Sequence, residues 1–443
     1  MVRNLLKKFI YLLPENLGAR ILQIWRFRKL FRFWIQRLRL KLPFSRSVTR
    51  YLFDDTIYWV NPEKLVFTMN SDGFDQDTLT PERRKYREFN LYEYKGRVIG
   101  GDWDGLERRF SELDFYRSYE ERARKGTSWE QLPYYHRVLG QIENGIVKWG
   151  CRSKQDLDER CRMLDKIFND MKHNGYKSRQ LQRKERGKDG LLDATDEISV
   201  NIGRHGDLIF NNGRHRLTLA KIAGLKEVPV TITVRHSKWE EFKKEIESRA
   251  LRNNGRLYAA LTHIDLQNIP SHYGHGRYEI IRKNMGEVNS TLLDIGSHWG
   301  YFCHRFEEDG FHCTAVENDA ESLYFMEKLK RAENRSFKVI SESITTVSKR
   351  GPLKYDVVLA LAIFHHFLKE KETFEDLKHL LKNIDANEIY FEPHRYDESQ
   401  MEGSFINFSP EEFTAFIMEN SCFNQCQLIG KCEEDRPIYK LWR

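Results

Sequence analysis

The stretch that decides the fold is TLLDIGSHWG at residues 291–300. Its first five residues, Thr291 to Ile295, form a short and mainly apolar run that predicts a buried β-strand. Gly296, which follows this run directly, and Gly300 predict a turn. We therefore expect a strand, a glycine turn and then a helix that begins at Tyr301 and continues through Glu308.

The sequence that follows repeats this alternation of strands and helices. It predicts strands at 312–316, 337–340, 356–361 and 388–391, and helices at 320–332 and 373–382. Strands that alternate with helices indicate an α/β fold with a parallel, doubly wound sheet. Ligands of such sheets bind at the carboxyl ends of the strands, so the residues that end each strand are the candidates for a binding site.

An acid and two glycines stand at the end of the first predicted strand. Asp294 closes that strand, and Gly296 and Gly300 let a ligand approach the backbone closely. Glu317 ends the second strand, 21 residues after Gly296, which is the spacing at which an acid reaches ribose hydroxyls. A nicotinamide dinucleotide site would use G-x-G-x-x-G, whereas this chain has D-x-G-x-x-x-G.

The pattern D-x-G-x-x-x-G at 294–300 resembles the first motif of the class I S-adenosylmethionine-dependent methyltransferases. The run YDVVLALAIFHHF at 355–367 is similar to their fourth-strand motif, and the resemblance covers about 290–395. It implies a Rossmann-like sheet that binds S-adenosylmethionine, with Asp294 near the methionine amino group. The cofactor-binding residues that follow from it are Asp294, Gly296, Ser297, Gly300, Tyr301, Glu317 and Ser343. His298 departs from the pattern, because many members have glycine at that position.

Two residues before the first strand have a role only by the same resemblance. In similar enzymes a helix at this place covers the cofactor, which makes Tyr273 and Arg277 candidates to contact it. The alternative is that both residues serve ordinary helix packing.

Polar residues after the fourth and fifth predicted strands are candidates for proton transfer. Transfer of a methyl group from a sulfonium mainly requires alignment and exclusion of water, but a hydroxyl acceptor also needs a general base. The candidates are His365, His366, Glu392 and His394. One of the two adjacent histidines is expected to pack or cap a helix instead. The spacing of Cys422, Cys426 and Cys432 is not a zinc pattern, and no metal site is predicted.

A second pattern lies in the middle of the chain. Strands are predicted at 197–202, 208–210 and 228–234, and Asn212-Gly213-Arg214-His215-Arg216 opens a helix that runs through Lys221. A glycine turn at a helix amino terminus, followed by cationic side chains, suits a phosphate or another anion.

The pattern over about 190–250 resembles the ParB/sulfiredoxin-like domain, although it lacks the cysteine of sulfiredoxin chemistry. The resemblance implies an α+β fold in which Gly213, Arg214, His215 and Arg216 contact nucleotide phosphates, with ATP or another nucleotide as the ligand. The alternative is a scaffold whose arginines pair with local acids.

The first fifty residues differ from the rest in charge. Thirteen of them are Lys or Arg and one is acidic, whereas the whole chain has a formal charge of +8, so the remainder is mildly acidic. This argues against nucleic acid as a partner. Apolar and basic residues alternate with helical period, and no apolar run is long enough to span a membrane. Residues 1–45 either lie on an anionic membrane surface or dock on the acidic body of the protein.

These observations predict four segments. They are basic amphipathic helices at 1–50, an α+β domain at 51–250, a helical linker at 251–289 and a methyltransferase domain at 290–443. The seven cysteines indicate a reducing compartment, and we expect a cytoplasmic protein, held at the inner membrane face if residues 1–45 bind lipid. The predicted function is S-adenosylmethionine-dependent methylation of a small-molecule, glycan or lipid-linked acceptor, beside a nucleotide- or anion-binding module. The alternatives are an ATP-dependent kinase centred on 190–250 and a non-enzymatic scaffold at a membrane.

Overall fold

The structure is a computed structural model that describes residues 56–69, 94–177, 197–286, 289–432 and 435–443. The chain divides into two compact units, the first ending at Glu241 and the second beginning at Phe242. The predicted boundary at 250 and the division at 241 both fall inside the helix Ser237–Arg252. A continuous helix leaves no break in composition that would mark a boundary. The predicted helices at 1–50 lie outside the described residues.

The first unit contains a mixed sheet of six strands. The strands are β1 (Tyr58–Val60), β2 (Phe67–Thr68), β3 (Arg97–Ile99), β4 (Ile198–Ile202), β5 (Leu208–Asn212) and β6 (Val228–His236). The long strand β6 is parallel to β3 and β4 and antiparallel to β1, and β5 pairs antiparallel with β4 and parallel with β2. The predicted order of strand, turn, strand, helix and strand over 197–234 is confirmed.

The helices of the first unit enclose an aromatic core. They are α1 (Asp114–Lys125), α2 (Pro133–Glu143), α3 (Lys154–Asn174) and α4 (Arg214–Ile222), and α5 (Ser237–Arg252) crosses the unit boundary. The buried core side chains include Phe115, Tyr119, Trp129, Tyr134, Leu157 and Cys161. Helix α3 contributes Leu157, Cys161, Leu164 and Met171 to this core.

The second unit is built on a sheet of seven strands. The strands are β9 (Thr291–Ile295), β10 (His312–Val316), β11 (Lys338–Ile340), β12 (Leu353–Leu361), β13 (Ile384–Glu392), β14 (Gln425–Lys431) and β15 (Pro437–Trp442). Their order in the sheet is β11-β10-β9-β12-β13-β15-β14. The first five run parallel, as predicted, whereas β15 is antiparallel to both of its neighbours.

Helices cover both faces of this sheet. Leu292 and Leu359 belong to a core cluster that includes Phe306, whereas Leu293 and Val358 belong to another that includes Leu377. The helices of the unit are α6 (Gly276–Asn284), α7 (Tyr301–Glu308), α8 (Ala320–Ala332), α9 (Ile344–Ser348), α10 (Lys371–Asn383) and α11 (Pro410–Asn420). Burial on both faces explains why the central strands are nearly continuous apolar runs.

The structure differs from the sequence prediction at two places in the second unit. The predicted helical linker at 251–289 also contains strands β7 (Leu257–Ala259) and β8 (Ser271–Tyr273), which form a parallel pair. The edge hairpin of β14 and β15 was not predicted. Most of β14 is exposed, so that strand lacks the apolar alternation by which sequence patterns reveal a strand.

Candidate active site

The site lies where the strand order of the seven-stranded sheet reverses. From β9 the chain continues outward through β10 and β11 and then returns to β12 on the other side of β9. Such a switch point leaves a crevice at the carboxyl ends of the strands. A cavity of about 530 Å³ occupies it, a volume typical of small-molecule sites. Its wall includes Tyr258, Tyr273, Arg277, Asp294, Gly296, Ser297, His298, Tyr301, Glu317, Asp319, Glu342, Ser343, Ile363 and His366.

Asp294 is the most strongly perturbed acid of this wall. Its side chain is on the penultimate residue of β9 and is buried. Burial, followed by the negative charge of Glu317, raises the pKa of Asp294 to about 7, and the Cys303 thiol opposes both effects by donating a weak hydrogen bond at 3.8 Å. A cation bound beside Asp294 would therefore stabilise its ionised form.

Glu317 follows β10 directly and is held in place by backbone donors. One carboxylate oxygen accepts from the amide of His298 at 2.8 Å. The other accepts from the amides of Asn318 and Asp319 at 2.8 and 2.9 Å. Since a carboxylate has about four lone-pair sites, Glu317 retains acceptor capacity toward the cavity that it lines.

The two glycines of the motif have different surroundings. Gly296 lines the cavity with φ +69°, and a Cβ there would lie 2.7 Å from Cδ1 of Ile363. Gly300 does not line the cavity, and its Cβ would lie 3.1 Å from Cγ of Met326. Gly300 therefore lets helix α7 start close to helix α8, whereas Gly296 lets the motif loop lie close to the end of β12.

The other predicted cofactor-binding residues line the cavity and also stabilise the loops around it. The Ser297 hydroxyl donates to the Val316 carbonyl at 3.4 Å. The Tyr301 hydroxyl is hydrogen-bonded to Nδ1 of His275 at 2.6 Å. Ser343 caps helix α9 by accepting from the amide of Thr345. Six of the seven predicted residues, all except Gly300, are thus brought to one cavity.

Of the four predicted proton-transfer residues, only His366 lines the cavity. His366 is exposed overall, and the partial burial of its ring, followed by the nearby Lys369 cation, lowers its pKa below the ordinary value of histidine. His365 lies beside it, with ring centroids 4.1 Å apart, and burial, followed by the charges of His366 and His394, lowers its pKa to about 3. Both histidines belong to the short 3-10 helix Phe364–Leu368 that follows β12.

Glu392 and His394 are buried in polar contacts behind the cavity. The Glu392 carboxylate accepts from the Arg277 guanidinium at 2.7 Å and lies 3.7 Å from that of Arg436. His394 is hydrogen-bonded through Nε2 to Oδ1 of Asn407 at 2.7 Å. Arg277 in turn stacks 3.5 Å from the ring centroid of Tyr273, and both side chains line the cavity. The ion pair with Glu392, which does not line the cavity, therefore holds the Arg277 guanidinium in its place in the cavity wall.

Several residues of the wall were not singled out from the sequence. Asp319 caps helix α8 by accepting from the amide of Ser322 at 2.7 Å, and it follows Glu317 by two residues. Its capping position before an amphipathic helix was a readable signal. Tyr258 and Ile363 carried no such signal, because their place depends on how β7 and β12 are arranged in space.

The four residues predicted to bind nucleotide phosphates have partners within the first unit. His215 is partly buried and packs against Phe115 and Trp149, and its Nε2 lies 3.0 Å from the Tyr134 hydroxyl. Arg216 lies 3.5 Å from the Glu197 carboxylate. The Arg214 guanidinium lies 5.6 Å from the ring centroid of Trp149, and a Cβ on Gly213 would lie 3.1 Å from Cα of Ile198. These contacts agree with the alternative in which this turn is a scaffold held by local partners. Nucleotide binding here stays a prediction.

The sequence of the second unit matches a known family. Residues 293–385 match the model of a methyltransferase domain. This part of the chain is similar to a methyltransferase domain. The match spans β9 to the start of β13, with the Asp294 cavity at the carboxyl ends of these strands. No curated protein is similar to this chain in sequence.

Solved structures of methyltransferases are similar to part of the chain. WbdD, a bifunctional kinase-methyltransferase, is 15% identical over 44% of this chain and 45% of its own, with a TM-score of 0.36. The N-methyltransferase NodS from Bradyrhizobium japonicum is 12% identical over 38% of this chain and 94% of its own, with a TM-score of 0.31. The chain spans less than half the length of WbdD. These distant similarities indicate no substrate.

No helix in the described part of the chain is both long and apolar enough to cross a membrane. The predicted contact of residues 1–45 with an anionic membrane surface lies outside the described residues.

Proposed function

We propose that the second unit transfers a methyl group from S-adenosylmethionine to a small-molecule, glycan or lipid-linked acceptor. The observation that supports this most directly is the shared cavity of Asp294 and Glu317 at the switch point of the methyltransferase-domain sheet. Each acid comes from the motif position that the resemblance assigns to the cofactor.

The charge of the cavity fits this cofactor. Asp294, Glu317, Asp319 and Glu342 line the wall, and S-adenosylmethionine has two cationic groups, its sulfonium and its ammonium. Asp294 is the acid whose ionised form gains most from a nearby cation, because burial and Glu317 together raise its pKa to about 7. The residues present thus fit a cationic adenosyl ligand, with Asp294 toward the ammonium and Glu317 toward the ribose hydroxyls.

The cofactor would supply a methyl group that is already activated by its bond to a positively charged sulfur. The protein then has to align the acceptor and exclude water, which is the proximity effect. His366 lines the cavity, and its lowered pKa keeps the imidazole neutral near pH 7. A neutral imidazole can accept the proton that an acceptor hydroxyl loses.

Calorimetric titration of S-adenosylmethionine into the full chain at pH 8 tests the proposal. We expect Asp294→Asn and Glu317→Gln each to weaken binding about tenfold or more, which corresponds to about 1.4 kcal/mol. Glu327→Gln is the matched control, because Glu327 is an exposed acid on helix α8 that does not line the cavity. Its dissociation constant should stay within about twofold of the wild-type value.

Two results would contradict the proposal. One is wild-type protein that does not bind S-adenosylmethionine at millimolar concentration. The other is an Asp294→Asn protein, folded by circular dichroism, that binds the cofactor as tightly as the Glu327→Gln control.

A further inference from the structure

A second cavity of about 280 Å³ adjoins the cofactor cavity within the second unit. Its wall consists of Arg249, Arg252, Asn253, Arg256, Leu257, Tyr258, His298 and Trp299. Tyr258, His298 and Trp299 also line the first cavity, so these three rings separate the two spaces. A ligand group in the second cavity therefore lies next to the place proposed for the methyl donor.

The two cavities differ in charge. Three arginines and no carboxylate line the second cavity, whereas four acids line the first. Arg249 is ion-paired with Glu321 at 2.5 Å. Among the residues that the structure describes, Arg252 and Arg256 have no carboxylate partner. Unpaired guanidinium groups that share a concave surface make it favourable for an anion.

The backbone turn after helix α5 brings these arginines together. Arg249 and Arg252 are three residues apart and share one face of the helix. Asn254 and Gly255 then adopt φ +52° and +78°, and the amide of Gly255 donates to the carbonyl of Ala250 at 2.9 Å. The turn reverses the chain, so that Arg256 lines the same cavity.

Favourable interaction with the helix dipole accounts for only part of this cluster. Cations in the last turn of a helix are stabilised by the partial negative charge of its carbonyl groups, which explains Arg249 and Arg252. Arg256 lies beyond the turn and gains little from that effect. The helix dipole therefore does not explain why Arg256 lines the same cavity.

His298 supplies a neutral polar group on the shared wall. Its ring stacks on Trp299 at 5.3 Å with an interplanar angle of 8°, and it packs 5.1 Å from Tyr258. Burial lowers the pKa of His298 to about 4, so that the ring is uncharged near pH 7. Its Nδ1 is buried and has no hydrogen-bond partner in the structure, which leaves it available to a ligand that spans the two cavities.

We propose that the arginine-lined cavity binds a phosphate group of the methyl acceptor, so that the acceptor is a phosphorylated small molecule anchored beside the donor. This inference rests on the proposed function. Guanidinium groups bind phosphate oxygens in a bidentate geometry. The carboxylates of the first cavity cannot provide such contacts. The phosphate serves as an anchor, and the methylated atom lies elsewhere on the acceptor. The other source of an anion at this place is the carboxylate of S-adenosylmethionine itself.

Calorimetry with two probes, pyrophosphate and S-adenosylmethionine, separates these sources. The variant is Arg252→Gln combined with Arg256→Gln in the full chain. We expect it to weaken pyrophosphate binding about tenfold or more and to leave the affinity for S-adenosylmethionine within about twofold. Pyrophosphate affinity of the wild type should also fall as salt is raised, because the two arginines are exposed.

Arg331→Gln is the matched control, since Arg331 is an exposed arginine in the last turn of helix α8 and lines neither cavity. The single variant Arg256→Gln is measured as well, so that a folding defect of the double variant does not decide the result.

Each remaining outcome overturns the inference. Pyrophosphate binding that is absent in the wild type, or equal in the variants and the Arg331→Gln control, removes the anion site. A parallel loss of S-adenosylmethionine affinity in the double variant assigns the arginines to the donor carboxylate. Wild-type protein that binds pyrophosphate through these arginines but never binds S-adenosylmethionine overturns the proposed function, and with it the assignment of the anion to a methyl acceptor.

Discussion

Asp294 and Glu317 lie at the carboxyl ends of the neighbouring parallel strands β9 and β10 and line the same cavity, and the negative charge of Glu317 adds to burial in raising the pKa of Asp294 to about 7. The backbone amides of His298, Asn318 and Asp319 hold Glu317 in place. The ionised form of Asp294 is therefore disfavoured by burial and by a neighbouring negative charge. A cation bound beside it would offset this cost, so we expect both binding and stability to depend on pH.

Binding of S-adenosylmethionine should weaken as the pH falls below about 7. A cation favours the ionised form of Asp294, so below its free pKa the carboxyl must lose a proton before the cation binds well. We expect the dissociation constant to rise up to about tenfold per pH unit between 7 and 5, and to be nearly constant above pH 8. Calorimetry at pH 6 in two buffers of different ionisation enthalpy should show proton release on binding. An affinity that does not change between pH 5.5 and 8 would contradict this role of Asp294.

Asp294→Asn should stabilise the protein at pH 8 while it weakens cofactor binding. The folded-state pKa of Asp294 is raised above its unfolded value, so the wild type loses stability as the pH rises through about 7. Asparagine has no such penalty, and we expect a gain on the order of 1–4 kcal/mol at pH 8 that disappears by about pH 4. Chemical unfolding of both proteins at the two pH values measures it. A variant that is less stable than the wild type at pH 8 would be inconsistent with this explanation.

Gly296→Ala should destabilise the second unit through a contact with one identified side chain. A Cβ at position 296 would lie 2.7 Å from Cδ1 of Ile363, and φ is +69°. We expect a loss of about 1–3 kcal/mol. Combining Gly296→Ala with Ile363→Ala should recover the part of this loss that comes from the steric contact and leave the part that comes from the positive φ. The changes in the free energy of unfolding should therefore not be additive. Additive losses in denaturant titrations would show that the two residues do not interact.

Much of this fold and part of the site follow from local sequence. The strands from Thr291 to Phe391 were predicted because parallel strands covered on both faces leave apolar runs. The two acids Asp294 and Glu317, which line the cavity, were singled out because they lie at the ends of those strands. The boundary near Glu241 and the β14–β15 edge were not predicted, because an uninterrupted helix and an exposed strand leave no recognisable sequence pattern. Four acid–base candidates were chosen by position after a strand, and only His366 lines the cavity. Which way a side chain points after a strand depends on partners that are remote in sequence, such as Arg277 for Glu392.

Arg277→Met should be much more harmful than the combined change with Glu392→Gln. Both side chains of this ion pair are almost fully buried, and they lie 2.7 Å apart. Loss of Arg277 alone leaves a buried carboxylate with less compensation, and breaking such a pair costs about 3–5 kcal/mol. We expect the double variant to recover a large part of this loss, because its glutamine is neutral. Equal stabilities of the single and double variants in urea would mean that Arg436 compensates Glu392 by itself.

His215 should make the stability of the first unit depend on pH. Burial, followed by the cationic charges of Arg214 and Arg160, lowers its pKa well below the ordinary value. The unfolded chain therefore takes up a proton at about pH 6.5 that the folded unit does not, and stability falls as the pH drops below that value. His215→Gln should lower stability at pH 8 by about 1–3 kcal/mol, because the packing against Phe115 changes. It should also reduce the loss of stability between pH 7 and 5, as measured by thermal unfolding.

His136→Gln is the control, since His136 is exposed on helix α2. Its stability should depend on pH with the same slope as that of the wild type. A slope in His215→Gln equal to that of this control would show that His215 is protonated in the folded unit.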